Sequence, residues 1–233
     1  MKSSEVRTIV GILGNVISCF LFLSPVPTFV NIWRAKSVQA FKPDVYIATI
    51  LNCAVWVLYG LPFVHPDSVL VITINAIGLV IESTYLIIFF IYSDMPKRRK
   101  IVIALIIELI FVAAIAVITM LCLHTTKNRS MLVGILCIIL NVVMYVSPLT
   151  VMKRVIKTKS VKYMPFYLSL ANLLNGIVWT IYAFLKFDPF ILVPNGLGTI
   201  SGLVQLVLYG IYYKTTKWDD DRSSTQSSVE LQP

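Results

Sequence analysis

Two stretches of the chain set an amide, an indole and a phenol on one helical face. Asn52, Trp56 and Tyr59 stand at i, i+4 and i+7 in NCAVWVLYGL, and Asn175, Trp179 and Tyr182 repeat the spacing in NGIVWTIYAF, 123 positions later. At 3.6 residues per turn, that spacing aligns side chains along one side of a helix. A further amide pattern follows each stretch: Asn75-x-x-Gly78 and Asn195-x-x-Gly198. An asparagine amide offers both a donor and an acceptor, which suits adjacent hydroxyl groups. An indole offers a flat apolar plane, which suits the C–H face of a ring. None of these residues is charged, so an ionic ligand would find no compensating group among them. The chemistry they fit is recognition of a neutral polyol. A lone asparagine in apolar surroundings is commonly glue between helices; four in two matched pairs point to a lined cavity.

The elements that carry these residues are membrane spans. Apolar residues make up 58% of the 233, charged residues only 13%, and the mean hydropathy is +0.84. A soluble domain is nearer half apolar and a quarter charged. About 20 apolar residues are needed to cross a bilayer as a helix. Seven stretches qualify: roughly Thr8–Trp33, Val45–Val64, Val69–Tyr92, Ile101–Leu123, Met131–Met152, Met164–Leu185 and Phe190–Tyr213. Only Glu82 and Glu108 put an acid inside one, and both read as structural. The first run is too long for a signal-peptide core and reads as a span. Cys19, Cys53, Cys122 and Cys137 all fall within spans and read as core thiols.

Fifteen of the 20 Lys and Arg residues fall on one side of these spans, in groups beginning at Arg34, Lys97, Lys153 and Lys214. Lys2, Arg7, Lys127, Arg129 and Lys186 fall on the other. The basic side is expected in the cytosol, with the N-terminus outside. The net charge of +9 therefore reflects topology, and no basic soluble domain exists to bind nucleic acid. Asn128-Arg129-Ser130 forms a glycosylation sequon on an outward loop, close to the membrane. The segment after Trp218 is polar and Ser-rich and reads as a disordered cytosolic tail.

The two polar stretches belong to a longer internal repeat. Gly11-Ile12-Leu13 returns as Gly134-Ile135-Leu136, Ser24-Pro25 as Ser147-Pro148, and Lys36-Ser37-Val38 as Lys159-Ser160-Val161, each 123 positions on. Asn75 returns as Asn195 at a shift of 120. Fixed-period self-similarity of this kind is architecture. Each copy holds three spans, and the unmatched fourth span restores the orientation of the second copy. The expected fold is an all-α membrane protein of seven helices, two parallel three-helix bundles joined by a linker helix. The boundaries read as 6–95 for the first repeat, 96–127 for the linker span, 128–215 for the second repeat and 216–233 for the tail. Carriers built from such repeats bind substrate near the midplane, between them.

The paired Ser-Pro, Trp and Asn, with TKSVKYMPFYLSL and DPFILVPNGLG as the most specific segments, resemble the plant-type SWEET (MtN3/saliva) sugar transporters over about residues 6–215. TINAIG and HPDSVLVITIN resemble the subgroup that usually moves hexoses. The resemblance implies that Trp56, Asn75, Trp179 and Asn195 surround the sugar. It implies that Leu21, Asn52, Met144 and Asn175 set the pocket size, bulky enough here to favour a monosaccharide over sucrose. Pro25, Pro148 and Pro165 match cytosolic hinge prolines, while Val45 stands where a fourth is usual. Tyr59 and Asp188 match a pair that closes the external gate. The implied activity is cofactor-free, bidirectional facilitated diffusion of a glucose-like hexose by alternating access. The implied setting is the plasma membrane or an internal one, as a homo-oligomer such as a trimer. No Walker motif is present, and His65 and His124 are isolated loop histidines without a nucleophile partner, so an enzyme is not expected. A sucrose carrier, a proton-coupled carrier of another solute and a seven-helix receptor are the alternatives; only the last leaves the duplication without purpose.

Overall fold

A computed structural model describes residues 2–218. Among them every regular element is α-helix. The first span is broken into α1 (Ser3–Leu23) and α2 (Val26–Ala35), where Ser24 and Pro25 interrupt the chain. The equivalent span of the second half is broken into α6 (Thr126–Met144) and α7 (Val146–Thr158) at Tyr145. Between them lie α3 (Asp44–Gly60), α4 (Val69–Ile91) and α5 (Met95–Leu121); α8 (Phe166–Leu185) and α9 (Pro189–Tyr212) complete the second half. Six spans have the length and apolar character to cross a bilayer. The seventh, α3, has 17 residues, the short end of the spanning range.

In each half the third span lies between the other two. Helix α4 packs on both α1 and α3, and α9 on both α6 and α8. The halves meet crosswise, α1 against α8 and α3 against α6, while α5 leans on α3 and α6 from outside. The fold is therefore 3 + 1 + 3, as the repeat implies. Close packing at the helix crossings uses the recurring glycines. A Cβ on Gly11 would lie 2.5 Å from Leu70 and 2.8 Å from Tyr182; one on Gly134 would strike the Phe190 ring.

The Lys-Ser-Val repeat has a structural explanation. Lys36 and Lys159 end α2 and α7 in the left-handed region, at φ 51° and 53°. Their ammonium groups donate to the Tyr92 hydroxyl at 3.1 Å and the Tyr212 hydroxyl at 3.0 Å respectively. Val38 and Val161 are buried in the following turns. One local device thus turns the chain from the first span toward the second in both halves, and the strain of a left-handed lysine is offset by a polar contact and a buried valine.

Several sequence expectations change. Cys122 is exposed at the end of α5, so it is no core thiol; all four cysteines are free. The sequon lies in the first turn of α6 rather than in a loop, and Ser130 is buried with its hydroxyl donating to the Val64 carbonyl at 2.6 Å. The tail does not begin at 216: Thr216 is buried and its hydroxyl accepts from the Val161 N–H at 2.9 Å. Residues 219–233 lie outside the described residues. Trp33 and Trp218 are half-exposed at span ends, beside Tyr92 and Tyr213.

Candidate functional site

A cavity of about 440 Å³ lies between the halves, within the range of small-ligand sites. A second space of about 470 Å³ adjoins it, sharing Asn52, Asn141, Met144, Asn175 and Asn195, and extends it toward the Lys/Arg-rich end. The structure brings Trp56, Asn75, Trp179 and Asn195 to this one cavity, together with Leu21, Asn52, Met144 and Asn175. The two indoles are almost fully buried and each meets the tyrosine of its own motif edge-on, Trp56–Tyr59 at 5.5 Å and Trp179–Tyr182 at 5.2 Å between ring centroids.

The amides are organised in two complementary pairs. Asn75 donates its Nδ2 to the Val71 carbonyl one turn back, and Asn195 does the same to the Ile191 carbonyl, both at 2.8 Å. Each therefore turns its acceptor oxygen away from its own helix. Asn52 and Asn175 are held the other way round. Asn52 Oδ1 accepts from Asn141 Nδ2 at 3.2 Å, and Asn175 Oδ1 accepts from the Ser18 hydroxyl at 2.5 Å. Their NH₂ groups remain as donors. Ser18 also accepts from Trp179 Nε1 at 3.1 Å, fixing that indole plane. The four matched asparagines thus present two amide donors and two amide acceptors beside two apolar planes.

Ser18 and Asn141 were not among the residues expected from the sequence. They are 123 positions apart, as are Thr49 and Asn172, which also line the cavity. Their residue types differ between the halves, so a search for identical pairs passes over them. Position in the repeat was the available signal. Glu82 is also in the wall, 5% exposed, with Oε2 unpartnered.

The prolines lie at the Lys/Arg-rich end. Pro25 stands at the junction of α1 and α2, and Pro148 in the first turn of α7, just past the break at Tyr145. Pro165 is the residue before α8 and leaves that helix unkinked. Val45 is 61% exposed in the first turn of α3 and borders the cavity; Pro43 precedes that helix.

The opposite end is shut. The Tyr59 hydroxyl donates to both carboxyl oxygens of Asp188, at 2.9 and 2.8 Å, joining the two halves where both residues are buried. Asp188 also caps α9, accepting from Phe190 N at 3.0 Å and Ile191 N at 3.2 Å. Burial pushes the Asp188 carboxyl upward, but the His65 imidazole, the Tyr59 hydroxyl and the Ile191 N–H outweigh it and hold it below the usual carboxylate range. His65, read from the sequence as an isolated histidine, stacks on Tyr59 at 4.7 Å and places Nε2 3.2 Å from Asp188 Oδ2.

Fold and cavity together define a class: a multi-pass membrane protein of two parallel three-span repeats around a cavity lined by amides and indoles, open at one end and closed at the other. Known proteins fix the family. A family model described as "Sugar efflux transporter for intercellular exchange" matches residues 8–97 and 131–217. The chain is 66% identical to the bidirectional sugar transporter SWEET5 of Arabidopsis thaliana, over 92% of this chain and 90% of that one. It is 59% identical to SWEET4 of the same plant, over 95% and 88%. A solved structure of a eukaryotic SWEET transporter superposes with a TM-score of 0.87 at 37% identity, covering 91% of this chain and 99% of that one. The chain belongs to the SWEET family.

Proposed function

We propose that the protein is a facilitative carrier of neutral monosaccharides, glucose-like hexoses above all, working in either direction by alternating access. The observation that carries this reading is the amide arrangement: two donors and two acceptors face one cavity between two buried indoles. Vicinal hydroxyls need both polarities, and a pyranose ring needs a flat apolar wall. The printed names of the relatives, bidirectional sugar transporters, support the same substrate class. Trp56, Trp179, Asn75 and Asn195 bind the sugar in this reading, and Asn52, Asn175, Leu21 and Met144 limit its size. Tyr59 and Asp188 form the outer gate; Pro25, Pro148 and Pro165 articulate the inner one. The Lys/Arg-rich end is cytosolic, which makes the observed state inward-open. The two repeats are the units that rock, the linker span ties them together, and each protomer holds its own pathway in any homo-oligomer. The plasma membrane is the proposed location.

Purified protein in liposomes, with equal pH on both sides and no ion gradient, tests the proposal. Labelled glucose should equilibrate while labelled sucrose stays out. Entry of sucrose would keep the carrier and overturn the size limit; entry of neither would overturn the function. A second reading, a proton-coupled carrier, is favoured by one observation only, the unpartnered Glu82 oxygen in the cavity wall. Accumulation of sugar above equilibrium when a pH gradient is imposed would select it.

A further inference from the structure

Toward the Lys/Arg-rich end, the first half is filled with rings where the second half is polar. In the first half Phe29 stacks on Tyr85 at 4.3 Å between ring centroids, and Tyr46 meets Phe29 edge-on at 4.9 Å. The Tyr85 hydroxyl donates to the Phe22 carbonyl at 3.1 Å, which ties the stack to α1. The repeat equivalents of Phe29, Tyr46 and Tyr85 are Met152, Ser169 and Gln205, at the shifts of 123, 123 and 120 set by the repeat. A small hydroxyl and an amide thus stand in place of two phenols. Ser169, Ser201 and Gln205 line the second space of about 470 Å³. Their hydrogen bonding is incomplete. The Ser169 hydroxyl donates to Gln205 Oε1 at 3.0 Å, and Gln205 Nε2 donates to Ser201 Oγ at 3.3 Å. Among the described residues these bonds leave one Nε2 hydrogen, the Ser201 hydroxyl hydrogen and the Ser169 oxygen lone pairs unspent. Ser169 and Gln205 are more than nine-tenths buried. Buried polar groups are ordinarily paired; here the unspent ones border a cavity.

We propose that Ser169, Ser201 and Gln205 form a second sugar site, within the second half alone, on the Lys/Arg-rich side of the central one. The inference rests on the carrier reading for its ligand. Donors and acceptors side by side suit vicinal hydroxyls, as in the central cavity, and no charged group stands among the three. Ser169 precedes Asn175 by six residues on α8, and Ser201 follows Asn195 by six on α9. At 1.5 Å of rise per residue the second site is displaced by about 9 Å along each helix. That is more than the width of a pyranose ring, so a sugar held by Asn175 and Asn195 leaves the three residues free for another. The two spaces join through shared walls at Asn52, Asn141, Met144, Asn175 and Asn195. A sugar leaving the central cavity toward the open end therefore passes the second site. A sugar resting there stands in the path of the next one, so sugar already present in that compartment restrains further delivery. The first half has no equivalent, because Tyr46 and Tyr85 put rings at the matching positions.

Counting bound sugar tests the site. Equilibrium dialysis of labelled glucose against the purified full chain in lipid nanodiscs, carried to saturation, should find two glucose molecules per protomer. Ser169→Tyr combined with Gln205→Tyr gives the second half the rings of the first and should halve the bound glucose. Gln205→Leu keeps the size of the side chain and removes the amide; it should halve it too, and it serves where the double variant does not fold. Trp179 lines the central cavity and not the second space. Trp179→Ala should therefore keep one glucose, and adding Gln205→Leu to it should remove that one. One glucose or none in the unaltered protein, or two in a folded pocket variant, would overturn the proposal. Glucose flux through liposomes of the same preparation separates it from the function itself. Flux with a single bound glucose sinks only the second site. Two bound glucose molecules without flux sink only the carrier.

Discussion

Each of the four matched asparagines in the cavity spends one end of its amide on the protein and leaves the other end unspent. Asn75 and Asn195 bond back to their own helices, while Asn52 and Asn175 lean on Asn141 and Ser18 across the interface between halves. The first pair costs little to remove, because only a local carbonyl contact is lost. Asn195→Ala should therefore lower glucose flux at least about tenfold, as one well-made hydrogen bond is worth about that factor, while the melting temperature in detergent moves by less than about 4 °C. Normal flux would remove Asn195 from the site. The four asparagines and two indoles were legible in the sequence because they are identical at matched positions. Ser18, Asn141, Thr49 and Asn172 were not, since the halves have diverged there. His65 was illegible for a different reason: its partners Ser130 and Asp188 are 65 and 123 residues away in sequence, and only the fold joins them.

At the scale of the element, apolar run length located the spans, and the Ser-Pro pairs located the broken ones. The break in the second half lies at Tyr145, ahead of Pro148. Pro148 falls within the first turn of α7, where its missing N–H costs nothing, and hydropathy is unbroken across both junctions, so the sequence carries no sharper boundary. The glycines differ in ways that the sequence does not display. Gly134 faces the Phe190 ring at a helix crossing, whereas nothing lies within 4 Å of a Cβ on Gly196. Gly134→Ala should destabilise by about 1–3 kcal/mol through overpacking. Gly196→Ala should be neutral or raise stability by up to about 1 kcal/mol, from helix propensity alone. Thermal unfolding of the two variants side by side checks both, and equal melting temperatures would contradict the packing described at the α6–α9 crossing.

For the molecule as a whole, the cavity communicates with the Lys/Arg-rich end and is sealed at the other. A cysteine placed at Val45, exposed at the cavity mouth, should react with a membrane-impermeant thiol reagent supplied from the cytosolic side and be protected from the same reagent outside, provided Cys122 has been replaced. Reaction from outside would reverse the assigned orientation. The sequence predicted the division into two halves and a linker, because fixed-period repetition reports topology directly. It did not predict which end stands open, since one sequence is common to any conformation the chain adopts.

The closed end treats the two halves unequally. Tyr59 and Tyr182 are repeat equivalents, yet one meets Asp188 and the other lies under Arg7. Asp188 caps α9 where the matching cap of α4 is Ser68, and Arg7 stands where the second half has Ser130. A pore assembled from two identical three-helix chains would have to repeat every choice: two buried acids facing each other, or two arginines. Joining the halves in one polypeptide removes that constraint. It lets one copy supply the acid and the other the phenol and imidazole, so a single asymmetric latch replaces a symmetric pair of like charges.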